Sequence, residues 1–160
     1  MIQIVPFASP FTEGVGALIV GIQRDEFQIQ ITLEDQPDLR NIPAFYQQEA
    51  GNFWVALAEG EVVGTVALLD LGNHQGALRK MFVHASYRGP RHGVATRLLD
   101  TLLEWSRLQG TKDIYLGTTE KFLAAHRFYE RNGFRLVAAN ALPPSFPKMA
   151  VDSRFYHRAL

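Results

Sequence analysis

The chain has 160 residues, with Lys+Arg and Asp+Glu balanced at 16 each, five histidines and no cysteine. That length suits one domain around one core, residues 1–160, and the scattered, balanced charge excludes the basic footprint of a nucleic-acid or membrane-surface binder. Without cysteine there are no disulfides, thiolate nucleophiles or thiolate metal sites; the amino terminus lacks a signal-peptide pattern and no apolar run approaches the roughly 18 residues of a membrane span, so a cytoplasmic protein is expected.

In chain order, residues 2–5 read as a strand, and Ser9-Pro10 opens a helix because proline suits the first helical position. Val15, Leu18, Ile19 and Ile22 mark its buried stripe. Residues 34–48 are interrupted by Pro37 and Pro43 and predict a short helix with irregular flanks. Residues 53–58, a turn at Glu59-Gly60-Glu61 and residues 62–69 predict a hairpin, and a turn near Gly72-Asn73 leads to a third strand ending at Val83. A helix follows with Ala95, Leu98, Leu99 and Leu102 on one face. Further strands are expected at 114–116 and 135–137, separated by a short helix that Gly133 closes, and residues 149–158 predict a last strand after a proline-rich loop. The order is mixed α/β, with strands next to crossover helices.

The segment Tyr87-Arg88-Gly89-Pro90-Arg91-His92-Gly93-Val94-Ala95 joins a strand to a helix N-terminus. First-turn N–H groups lack internal partners and carry the positive end of the peptide dipoles, so they suit a phosphate. Gly89 and Gly93 allow close backbone approach, and Arg88 and Arg91 add charge; a pyrophosphate is the expected anion. No Lys-Ser or Lys-Thr follows Gly93, so this is not a P-loop, and the Gly-x-Gly-x-x-Gly dinucleotide pattern is absent.

The run MFVHASYRGPRHGVATRLLDTLLEW, followed by YLGTTEKFLAAHRFYERNGF, resembles the GNAT superfamily of acyl-CoA-dependent N-acyltransferases, over about residues 62–137. The resemblance implies a single GNAT-like α/β domain whose mixed, mostly antiparallel sheet has about six or seven strands flanked by helices. It implies acetyl-CoA, or another short acyl-CoA, as cosubstrate and a primary amine of a small molecule or peptide as acceptor. Under it, Met81, Phe82 and Val83 align with the acyl-pantetheine arm and offer a backbone N–H to the thioester carbonyl. Arg88, Gly89, Arg91, His92, Gly93, Val94, Ala95 and Thr96 wrap the pyrophosphate. Thr119 and Phe128 complete the cofactor contacts, and Tyr129 is the general acid for the departing thiolate. A phenol with ordinary pKa about 10 is protonated at neutral pH and can donate.

Three departures from the family pattern stand out. Pro90 takes the place of the loop's usual Gln or Arg, Ala77 that of an acidic general base, and Phe122 that of a cofactor-orienting asparagine. The base is therefore open among Glu120, His84, His92, His126 and a water chain. The histidines show no His-x-x-x-His spacing, so no metal is expected. Residues 23–27 and 45–49 combine aromatics with carboxylates and are candidates for the acceptor site. No covalent enzyme intermediate is expected, since there is no cysteine and no serine in Gly-x-Ser-x-Gly context. The sequence leaves a monomer or a homodimer open, the latter through a strand containing Phe155-Tyr156. An acyl-CoA-binding sensing module and a purely structural domain are the other readings.

Overall fold

The computed structural model describes Met1–Leu160. Strands β1 (Ile2–Pro6) and β2 (Asn52–Ala58) pair antiparallel, and β2 explains why the sheet needs cover on both faces. Every β2 residue is buried. Trp54, Ala56 and Ala58 enter one core, while Phe53, Val55 and Leu57 enter another. Successive strand residues point to opposite faces, so an unbroken apolar strand requires a layer on each side.

β3 (Glu61–Gly72), β4 (Gln75–Val83), β5 (Asp113–Thr118), β6 (Arg135–Val137) and β7 (Arg154–Ala159) complete one sheet in the order β1-β2-β3-β4-β5-β7-β6. All pairings are antiparallel except β4 with β5. Helix α1 (Thr12–Gly21) lies on one face with α2 (Pro37–Arg40) and α3 (Ile42–Phe45), closing the core that contains Val15, Ile19, Leu39 and Ile42. On the other face lie α4 (Val94–Leu108) and α5 (Leu123–Arg131), with Leu98, Leu99, Leu102 and Tyr129 in the larger core.

The meander of β2, β3 and β4 and the buried stripe of α1 match the sequence expectation. Residues 34–48 differ from it by forming two short helices, each with proline in its first turn, where the missing N–H removes no helical hydrogen bond. Helix α1 runs on into a π-helical turn, Ile22–Glu26. β7 is an inner strand, paired with β5 on one edge and β6 on the other. Over residues 155–157 both edges of β7 are paired within the chain, and Phe155 and Tyr156 are buried. That stretch of β7 therefore offers no free edge for pairing with a second chain.

Candidate functional site

The site begins where two parallel strands part. β4 and β5 pair only over Gln75–Ala77 and Asp113–Tyr115. Beyond Ala77 the β4 edge has no strand partner. A bulge helps to turn it away: Phe82 opposes Thr65 and Arg79 opposes Ala67, so β4 carries one extra residue there, and Lys80 adopts φ 54°. A bulge of this kind bends its strand and re-aims side chains. The Thr65 hydroxyl donates to the Lys80 carbonyl at 2.7 Å and fixes the bend.

A cleft of about 960 Å³ opens on one side of this splay. Met81, Phe82 and Val83 form one wall, Phe128 and Tyr129 of α5 the other, and Gly89, Gly93, Ala95 and Thr96 the rim. Gly93 precedes α4 with φ 62°, a left-handed conformation that glycine adopts without strain, and it offers no capping side chain. The N–H groups of Val94, Ala95 and Thr96 accordingly have no acceptor within the protein. Such orphan donors at the positive end of a 15-residue helix are suited to an anion. Lys121 and Arg131 also line the cleft and form no ion pair. Arg88 is held differently. Its guanidinium meets Glu26 in two contacts, at 2.6 and 2.8 Å, and its Nε donates to the Val83 carbonyl at 2.8 Å. Together with the Phe27–Phe122 ring contact at 4.1 Å, this pair joins the segment after α1 to the far side of the cleft.

A smaller cavity of about 190 Å³ lies on the other side. It shares Met81, Phe82, Phe122, Ala125 and Tyr129 with the cleft, so the two meet at the Tyr129 ring. Burial pushes the Tyr129 hydroxyl above its ordinary pKa. That hydroxyl has no hydrogen-bond partner in the protein, yet no fully buried side-chain oxygen or nitrogen is left unpartnered. Its oxygen is therefore not fully enclosed, on a residue that lines both cavities. Arg79 and Lys80 both line the smaller cavity, with opposite roles. Lys80 is bound into a buried network, donating to Gln36 at 2.8 Å and lying 3.5 Å from Asp38, which accepts the Tyr46 hydroxyl at 2.5 Å. Burial lowers the Lys80 pKa against the opposing pull of Asp38. Arg79 forms no ion pair; its guanidinium lies over the Phe45 and Tyr46 rings, 5.8 and 5.9 Å from their centroids.

The Acetyltransferase (GNAT) family model matches residues 18–134. The chain belongs to this GNAT acetyltransferase family. An acetyltransferase of GNAT family from Staphylococcus aureus Mu50 superposes with a TM-score of 0.94 at 41% identity, covering 99% of each chain. N-acetylaspartate synthetase of Xenopus tropicalis is 41% identical over 131 residues, 76% of this chain and 47% of that protein. The chain spans between about a third and a half of the length of the first curated relatives it matches. The PaiA N-acetyltransferase of Thermoplasma acidophilum, solved in complex with coenzyme A, shares the fold, with a TM-score of 0.73, 13% identity and coverage of 100% of this chain and 99% of that one.

Within this GNAT chain, the structure brings ten of the sequence-selected residues to the large cleft: Met81, Phe82, Val83, Arg88, Gly89, Gly93, Ala95, Thr96, Phe128 and Tyr129. Thr119 lies on the smaller cavity instead. The Val94 side chain is buried in the core, which leaves only its backbone N–H for a ligand. Arg91 and His92 line neither cavity, and His92 packs its ring on Tyr87 at 5.3 Å. Every side chain considered for the missing base falls outside the smaller cavity. Glu120 is exposed. His84 accepts from the Ser86 N–H, and His126 is buried and donates to the Thr119 carbonyl. The acceptor segments separate too: Gln23 reaches the smaller cavity, Glu26 and Phe27 reach the cleft, and Phe45 and Tyr46 lie beneath Arg79. Sequence reading missed Lys121, Arg131, Arg79 and Asp152, because no local pattern marks an isolated charge as facing a cavity built from distant segments.

Proposed function

We propose that this GNAT-family chain transfers an acetyl group from acetyl-CoA directly to the amine of a small acceptor that carries a carboxylate. The observation that carries the reading is the meeting of two cavities at one accessible, protonated phenol, Tyr129. A two-substrate transfer needs that arrangement: each substrate enters its own cavity, and the reacting atoms are held together at the junction.

The large cleft fits acetyl-CoA. The free N–H groups of Val94, Ala95 and Thr96 suit a pyrophosphate, with Lys121 and Arg131 adding unpaired charge. The open β4 edge past Ala77 offers backbone groups to an amide-bearing arm, with Met81, Phe82 and Val83 alongside. A backbone N–H placed there polarises the thioester carbonyl, and losing one such donor costs on the order of 3 kcal/mol of barrier. The Tyr129 hydroxyl then protonates the departing thiolate. The coenzyme A complex of a protein with this fold supports the choice of cosubstrate.

For the acceptor, Arg79 supplies a guanidinium that forms no ion pair and hydrogen-bonds only Met149 Sδ, at 3.6 Å, and its planar fork matches a carboxylate. The N-acetylaspartate synthetases among the relatives support an amino-acid acceptor. The test combines calorimetric titration with acetyl-CoA and a thiol-release assay over the L-amino acids, set against ethylamine and putrescine. Acetyl-CoA binding with turnover confined to carboxylate-bearing amines is expected. Binding without turnover on any amine identifies a sensing module, and absence of binding overturns the reading.

A further inference from the structure

We infer that Asp152 is the general base that takes a proton from the acceptor's ammonium, an assignment that rests on the transfer reading above. Ala77 offers no proton acceptor where an acidic residue was expected, and it is fully buried in the three-strand paired region. The other carboxylates near the splay are engaged: Glu26 by Arg88, and Asp38 by Tyr46 and Lys80. Asp152 is the one carboxylate on the smaller cavity.

Its placement is specific. Asp152 Oδ2 accepts the Met149 N–H at 3.0 Å and lies against β5 at Gly117, where a Cβ would come within 2.6 Å of it. Oδ1 has no donor in the protein, and since no fully buried side-chain oxygen is left unpartnered it is accessible, on a residue that lines the cavity. One oxygen is thus anchored while the other is presented. The groups facing this carboxylate are the Met149 N–H and the Arg79 guanidinium, with the paired Lys80 and the Tyr129 hydroxyl on the same cavity wall. Burial raises the Asp152 pKa against the lowering effects of the Met149 N–H and Arg79, which strengthens it as a proton acceptor.

The proton inventory closes with these groups. Asp152 takes one proton from the ammonium and later releases it to solvent. The nitrogen bonds to the thioester carbon as the C–S bond breaks, and the Tyr129 hydroxyl gives its proton to the departing sulfur. The second nitrogen proton returns to Tyr129 through water, leaving an amide, a thiol and one proton in solution.

The test compares Asp152→Asn with wild type on two nucleophiles: the L-amino acid of highest turnover, and hydroxylamine, which is largely unprotonated at neutral pH and needs no base. The Asn side-chain carbonyl still accepts the Met149 N–H, and unchanged acetyl-CoA affinity by calorimetry checks that the cleft is intact. The expected result is a ~10²- to 10⁴-fold loss of kcat with the amino acid, near-normal transfer to hydroxylamine, and loss of the acid limb in the pH profile of kcat/KM. Equal losses on both nucleophiles, or an unchanged rate and profile, overturn the assignment alone. Wild-type transfer to hydroxylamine but to no amino acid overturns this assignment together with the amino-acid acceptor. Wild-type inactivity on both overturns the transfer reading itself.

Discussion

The two cavities that meet at Tyr129 are built in opposite ways. The large cleft draws much of its character from backbone: an unpaired strand edge, a glycine at φ 62° and three orphan N–H groups at the start of α4. The smaller cavity draws its character from side chains brought together from remote parts of the chain, with Gln23, Arg79, Thr118 and Asp152 on four different segments. Under the proposed transfer, the first arrangement would recognise a feature common to every acyl-CoA and tolerate changes in side chain, and the second would select the acceptor and change with single substitutions.

This contrast makes Tyr129→Phe the most damaging single change expected at the junction. Its hydroxyl has no protein partner, so the variant should fold normally and bind acetyl-CoA as before, while kcat falls by about 10² to 10⁴ in steady-state thiol release. The same burial makes a pH prediction. An acid group loses function as pH rises through its pKa, and burial raises that of Tyr129, so no alkaline loss from its ionisation should occur below about pH 10.

The backbone character of the cleft is next to be broken. Gly89 and Gly93 both have positive φ, at 93° and 62°, with open space where a side chain would project. A double Gly89→Glu, Gly93→Glu variant adds backbone strain and two carboxylates beside the helix N-terminus. Calorimetry should show coenzyme A affinity lowered by at least ~100-fold, about 2.7 kcal/mol. Wild-type affinity in that variant would place the pyrophosphate elsewhere.

Arg79→Ala should sharpen the comparison by affecting one cavity alone. The acceptor KM should rise by roughly 10- to 100-fold, the worth of one charge-assisted contact, with acetyl-CoA affinity unchanged. Equal effects on both substrates would mean that Arg79 supports the fold through Phe45 and Tyr46. Glu26→Gln should have the smallest effect. Its pair with Arg88 is partly exposed and contributes little to stability, but the variant frees a cation at the cleft. Coenzyme A should bind a few-fold more tightly, with a steeper dependence on salt in the titration.

What could be read from the sequence follows the same divide. Residues 87–95 and the segment ending at Gly133 are contiguous, so the glycine loop, the start of α4 and the position of Tyr129 on α5 were legible from spacing alone. The finer placements were not. Val94 lies within the loop motif but turns into the core, and Arg88 is held by Glu26, 62 residues away in sequence. His126 is buried and bonded to Thr119, although nothing in its neighbours distinguishes it from an exposed histidine.

By itself, the sequence determined the strand and helix order, the buried stripe of α1 and a glycine-containing loop at the start of α4, because each rests on periodicity or on the conformational freedom of neighbouring residues. Only the tertiary structure decided that β4 and β5 part after three paired residues, that β7 lies inside the sheet, and that Asp152 comes to rest against Gly117. Those facts depend on contacts between residues far apart in the chain. A charge at one position carries no local record of the cavity that the rest of the fold will place before it.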